Sequence, residues 1–235
     1  MKSEKSPPNS KNVLVVMAHP DDAELSSAGT LIKGRDQGWE VRYIVCTTGD
    51  KGTKDMSMSP FHLAETREKE QREAAGVIGV KNITFLRYPD GGLEHNAGFR
   101  NEIALLIRKF QPELIITHDP WRPYQLHPDH RAVGFATVDA VVVARDHLFL
   151  PALLELELPA YAPLEIYFTF PPTPDHVVDI TDVMNKKLEA LEKHQSQLEH
   201  IPKWREGIKL MGSKLAEGKT FTYAESFKRL PLTYQ

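Results

Sequence analysis

Short, unbroken apolar runs alternate with stretches of helical spacing through the first two thirds of the chain. Val13-Leu14-Val15-Val16-Met17 is β-branched and has no polar break, the mark of a strand buried on both faces. A helix is predicted from about Glu24 to Gln37, with Gly38 as its stop signal. Glu40 to Thr47 predicts the second strand, and a polar, glycine-bearing loop follows from Thr48 to Pro60. Leu63 to Ile78 is helical and strongly charged, Ile83-Thr84-Phe85-Leu86 is a third strand, and Tyr88-Pro89-Asp90-Gly91-Gly92 is a turn. Ile103, Leu106, Ile107 and Phe110 mark one face of a helix from Phe99 that Pro112 stops. Leu114-Ile115-Ile116-Thr117 makes a fourth strand; a proline-rich connection and an Ala- and Val-rich helix to about Ala144 follow.

After Pro151 the pattern changes. Leu164 to Phe170 and His176 to Ile180 read as strands on either side of Pro171-Pro172-Thr173-Pro174. Thr181 or Asp182 can cap a long amphipathic helix through Leu198, and Ile201 to Leu230 is predicted helical. The alternation implies an α/β fold: a Rossmann-like, mostly parallel, doubly wound sheet with helices on both faces and a small C-terminal strand-plus-helix extension. One domain is expected over residues 11–235, after a disordered tail over 1–10 that lacks the apolar core of a signal peptide.

Composition narrows the function. A net charge of −3 gives no basic footprint for nucleic acid. No apolar stretch approaches the roughly 20 residues needed to span a bilayer. The single cysteine, Cys46, lies in an apolar run and reads as an inert core residue, so a reducing, cytoplasmic setting is expected.

The chemistry concentrates in two places. Ala18-His19-Pro20-Asp21-Asp22-Ala23-Glu24 follows the first strand, and His127-Pro128-Asp129-His130 follows the proline-rich connection. Open α/β sheets bind ligands at such strand ends. Residues three apart share a direction when the backbone turns helically, which pairs His19 with Asp22 and His127 with His130. Asp21 points elsewhere, where a water-activating base should stand beside a metal held by three protein ligands. Either cluster alone could be no more than a capped turn; together, at one sheet edge, they read as one zinc site.

Around it, several residues admit two readings. Glu24 can support a metal ligand or merely favour the first helical turn. His118 and Asp119 can serve the site or its packing, and Trp121 and Tyr124 can stack on a sugar ring or pack a long loop. His62, His95, His147, His176 and His200 read as surface or packing residues, and His194 as structural. The run Arg67 to Glu73 reads as a solvated helix face, Arg67 excepted.

The two motifs, His127-Pro128-Asp129-His130 continuing into Arg131-Ala132, resemble the signatures of the PIG-L (LmbE-like) zinc-dependent N-deacetylases. Gly49-Asp50-Lys51-Gly52, Thr66-Arg67 to Glu70 with Ala74-Ala75, Tyr88-Pro89-Asp90-Gly91 and His194-Gln195-Ser196-Gln197 are similar to that family in order and rough spacing. The resemblance implies His19, Asp22 and His130 as ligands of one zinc ion (Fe2+ being the alternative) and Asp21 as general base. It further implies that His127 steadies the oxyanion or protonates the leaving amine, with Asp129 holding that imidazole and favouring its charged form. Arg67 and Asp90 match positions that contact the sugar. Ala28 departs from the family, where many members have a glycine. Tyr124 is separated from the second motif by Gln125 and Leu126, whereas some members place a tyrosine just before it.

The implied activity is removal of acetyl from an N-acetylated amino sugar or its conjugate. The partner is then a small sugar, with no nucleic acid or membrane, and self-association is common in such a family. Two other readings stand: a hydratase or lyase of unsaturated carboxylic acids, which Arg122 and Arg131 could serve, and a non-catalytic, metal-containing sugar-binding protein.

Overall fold

The computed structural model describes residues 10–233. The expected tail over 1–10 therefore lies, apart from Ser10, outside the described residues. A seven-stranded sheet runs in the order β3-β2-β1-β4-β5-β7-β6. β1 (Asn12–Met17) lies inside it, parallel to and between β2 (Glu40–Thr47) and the central strand β4 (Leu114–His118). β3 (Asn82–Tyr88) and β5 (Glu165–Thr169) extend the parallel part on either side.

The unbroken apolar run of β1 has a direct cause. Leu14 and Val16 face a core shared with Ile103, Ile107, Val133 and Ala136. Val13, Val15 and Met17 face the opposite core, with Leu31, Ile32, Tyr43 and Ile116. A strand covered on both sides has no polar face to alternate with. The first core belongs to α3 (Ala97–Phe110) and α4 (Pro128–Arg145), the second to α1 (Asp22–Asp36) and α2 (Pro60–Ile78). α2 starts earlier than the pattern predicts, because Ser59 caps it by accepting the His62 N–H and Pro60 fits its first turn.

The C-terminal third differs from expectation in two ways. The long helix after Asp179 is broken into a 3-10 turn (Thr181–Val183), α6 (Met184–Glu192) and α7 (Gln195–Leu198). Neither Thr181 nor Asp182 caps it; the Thr181 hydroxyl instead accepts the N–H groups of Thr222 and Tyr223. Residues 201–230, predicted helical throughout, form α8 (Trp204–Leu215) and then β7 (Ala224–Pro231). β7 inserts antiparallel between β5 and β6 (His176–Asp179), so the C-terminus completes the sheet. Its strand signal is masked because buried Glu225 sits among Ala224, Ser226 and Phe227. A short α5 (Ala152–Glu155) lies in the connection before β5.

Strand order reverses at β1, whose successors lie on one side (β2, β3) and on the other (β4, β5). The crevice beyond the carboxyl ends of β1 and β4 is where such sheets bind ligands.

Candidate metal centre and active site

β1 delivers Ala18 and His19 to that crevice, and β4 delivers His118 beside them. The chain then turns sharply through Asp21, whose backbone adopts φ 108°, ψ −26°, before α1 begins at Asp22. Asp22 reaches back to accept the His19 backbone N–H at 2.8 Å. Across the crevice, Pro128 opens α4 and places His130 on its first turn.

These turns bring three ligating groups together. His19 Nδ1 lies 3.3 Å from Asp22 Oδ2 and 3.1 Å from His130 Nε2, and His130 Nε2 lies 3.4 Å from Asp22 Oδ1. A tetrahedral ion with bonds of about 2.0–2.1 Å sets its donors about 3.3–3.4 Å apart, a spacing these contacts approach, with Asp22 meeting His19 through Oδ2 and His130 through Oδ1. The same cluster offers other sets close enough to hold an ion: His19 with His127 and His130, His19 with Asp90, His127 and Asp129, and Asp22 with His118 and His130. Electrostatics agree. Burial disfavours a charged His19, but Asp129, Asp22 and Asp90 outweigh it and push its pKa up to about 11. The carboxylates thus create a place where positive charge is strongly favoured.

The supporting groups differ in part from expectation. Asp129 Oδ2 lies 3.1 Å from His19 Nε2 but 4.0 Å from His127 Nδ1, an atom that is buried without a hydrogen-bond partner. Asp129 is itself fixed by the N–H groups of Gly91 and Leu93, which aims it at His19. It therefore orients a metal-ligand candidate rather than the His127 ring. His127 is also not favoured in its charged form: burial and the neighbouring His19 and His130 push its pKa down, outweighing Asp129 and Asp90.

Arg67 and Asp90, expected to touch a sugar, are turned inward. Arg67 is 3% exposed, and its guanidinium donates to Asp21 Oδ2 at 3.0 Å, Pro20 O at 2.6 Å and Gly49 O at 2.9 Å. It holds Asp21 in place of meeting solvent. Asp90 is buried, with Oδ1 3.3 Å from His19 Nε2 and 3.7 Å from His127 Nε2. Burial opposes its ionisation, yet His19 draws its pKa down to about 2. At the rim, Trp121 is 57% exposed while packing edge-on against Phe135 and Phe168, and Tyr124 projects at 95% exposure.

Sequence reasoning left His118 open and passed over Gln125. His118 stacks on His130 at 4.1 Å, and its Nε2 accepts the Ala18 N–H while lying 3.3 Å from Asp22 Oδ2. Burial pushes its pKa down, in keeping with a neutral ring that walls the site. Gln125 Nε2 lies 3.3 Å from His130 Nδ1, and its Oε1 accepts the His127 N–H. The strand-end position of His118 was a usable signal; a loop glutamine gives none.

A doubly wound sheet with imidazoles and carboxylates gathered at its switch point defines an α/β protein with a cluster able to hold a metal. Residues 14–141 match the family described as PIG-L: GlcNAc-PI de-N-acetylase. The chain belongs to this family. It is 34% identical over 223 residues to the diacetylchitobiose deacetylase of Thermococcus kodakarensis, covering 94% of this chain and 84% of that one. The N,N'-diacetylchitobiose deacetylase structure from Pyrococcus horikoshii superposes with a TM-score of 0.90 at 36% identity, covering 94% of this chain and 84% of that one. The 4-carboxy-2-hydroxymuconate hydratase of Pseudomonas putida shares the fold, with a TM-score of 0.79 at 21% identity, covering 96% of this chain and 98% of that one.

Proposed function

We propose that the chain is a zinc-dependent hydrolase that frees acetate from a small N-acetylated amino sugar of the N-acetylglucosamine type. The observation carrying this reading is the convergence of His19, Asp22 and His130 within 3.1–3.4 Å of one another, with Asp21 beside them but bonded to Arg67. The names of the two diacetylchitobiose deacetylases support the substrate class. Ferrous iron is the alternative ion, because two imidazoles and a carboxylate accept either. Action in the cytoplasm is part of the proposal, supported by Cys46 being a buried, unpaired thiol.

Bound there, zinc supplies Lewis acidity at the acetamide carbonyl and lowers the pKa of water toward about 7. Asp21 takes the proton of the attacking water at Oδ1, because Arg67 holds Oδ2. Burial pushes the Asp21 carboxyl up despite Arg67, which makes it a better proton acceptor near neutral pH. His127, with a pKa pushed below its usual value, is neutral at rest and serves by steadying the oxyanion through its N–H. Trp121 and Tyr124 offer exposed aromatic faces for sugar rings.

The rival hydratase reading needs cations converging on the pocket. Arg131 is instead engaged by the carbonyls of Gln125 and Leu126, and Arg122 lies over the Phe170 ring. A non-catalytic sugar binder has no use for an acid held in a strained turn. The test is to incubate zinc-loaded protein with N,N'-diacetylchitobiose and assay free amine and acetate, with unsaturated carboxylic acids screened in parallel. Release of acetate is expected; zinc-loaded protein that releases none from any N-acetylated sugar overturns the proposal.

A further inference from the structure

Asp21 stands in a left-handed backbone conformation, φ 108°, that side-chain-bearing residues adopt only when their surroundings enforce it. Arg67 fixes its carboxylate and the Pro20 carbonyl just before it, but a different group holds its backbone N–H. The Asp21 N–H donates to Gln71 Oε1 at 3.0 Å. Gln71 is fully buried on the face of α2 that meets α1. Its amide could present either end to Asp21, and only the oxygen end accepts an N–H.

What decides the orientation is Glu24. Gln71 Nε2 lies 3.0 Å from both Glu24 carboxylate oxygens, so the NH2 group must face Glu24 and the carbonyl must face Asp21. Glu24 is itself fully buried and meets His194 Nε2 at 3.3 Å. His194, equally buried, sits in the break between α6 and α7. That break is what allows a histidine from the C-terminal third to reach α1.

We propose that Gln71 is a positioning residue for the general base, holding the Asp21 backbone in its strained turn through an amide that the Glu24–His194 pair locks in one orientation. This rests on the proposed function only in treating Asp21 as the base; the geometry of the chain Asp21, Gln71, Glu24, His194 stands without it. Glu24 bonds Gln71 and meets His194, and this pair bears on the Asp21 backbone through Gln71.

The test compares Gln71→Met, which keeps the volume but removes acceptor and donors, with Gln71→Glu and the double variant Gln71→Glu/Glu24→Gln. In the single Gln71→Glu variant two carboxylates face each other in a buried site. The double variant restores one amide and one carboxylate, with an oxygen still beneath the Asp21 N–H. Zinc content, kcat and KM on N,N'-diacetylchitobiose, and hydrogen exchange at the Asp21 amide by NMR are measured on each.

In Gln71→Met, exchange at the Asp21 amide rises by about tenfold or more, and kcat falls by about tenfold or more with KM within about twofold. Zinc content is unchanged. Gln71→Glu shows the same loss, and the double variant recovers most of it. Unchanged Asp21 exchange in Gln71→Met overturns the inference, as does a kcat loss that merely follows loss of zinc, or a double variant no better than the single. If the wild-type protein releases no acetate, the proposed function fails while the exchange measurement still decides this inference.

Discussion

Lys187 and Glu225 meet as a buried ion pair, 2.6 Å apart, inside the backbone ladder of α1. Lys187 Nζ also donates to Leu25 O at 2.8 Å, while Glu225 accepts the N–H groups of Gly29 and Thr30 at 2.9 and 2.7 Å. In a regular helix the Gly29 N–H would meet the Leu25 carbonyl. The pair thus ties α6 and β7 to the helix that carries Asp22.

Removing one member leaves the other charged and unpaired in the interior. Glu225→Ala should destabilise the protein by about 3–5 kcal/mol, lowering its melting temperature by roughly 6–20 °C. Lys187→Met/Glu225→Gln keeps an acceptor for Gly29 and Thr30 without stranding a charge, and should melt above Glu225→Ala. Thermal denaturation of the two variants checks the order.

The same pair shows where the sequence was legible and where it was not. β1 announced itself because a strand buried on both faces can be apolar at every position, as Val13 to Met17 are. β7 did not, because Glu225 is neutralised by a residue 38 positions away that no local pattern reveals. Spacing paired His19 with Asp22 and His127 with His130, and the fold does bring these four side chains into one crevice; the choice of ligands among them came from the family resemblance. The partnership of Asp129 with His19 depends on Gly91 and Leu93 holding the carboxylate, a tertiary fact. The hold of Arg67 on Asp21 was not legible, because its cradle is made of main-chain carbonyls and two glycines.

Asp21 and His130 should fail in different ways. Asp21→Asn keeps the hydrogen bond to Arg67 but cannot take a proton, so kcat should fall roughly 10²–10⁴-fold with zinc still bound. His130→Ala opens the ligand triangle and should lose metal and activity together. Zinc analysis alongside kcat separates the two, and an Asp21→Asn protein at full turnover would end the assignment of the base.

Glu165 links stability to pH away from the site. It accepts from Lys11 Nζ at 2.8 Å and Arg229 Nε at 2.7 Å, joining β5 to the chain before β1 and to β7. Burial works to raise its pKa, but the two cations outweigh burial and hold it below the usual glutamate value. A group with a depressed folded-state pKa stabilises the fold above its unfolded pKa, about 4.3, and loses that contribution as pH falls through the folded value. Urea midpoints at pH 7 and pH 3 should therefore differ less in Glu165→Gln than in the wild type. An equal difference would show that this carboxylate contributes nothing to acid sensitivity.

Gly49 and Gly52 test how the arginine is seated. A Cβ at either position would lie 2.5 Å from Arg67 Nη1, so both alanine variants must displace the guanidinium. Gly49 also has φ +63°, a conformation alanine resists, at a cost of about 1–3 kcal/mol. Gly52→Ala should then lower kcat, through a displaced Asp21 carboxylate, with a modest loss of stability. Gly49→Ala should lower kcat similarly and destabilise the fold further. If both variants turn over at the wild-type rate, Arg67 does not govern the position of Asp21, because the glycines leave it nowhere else to sit once a methyl group arrives.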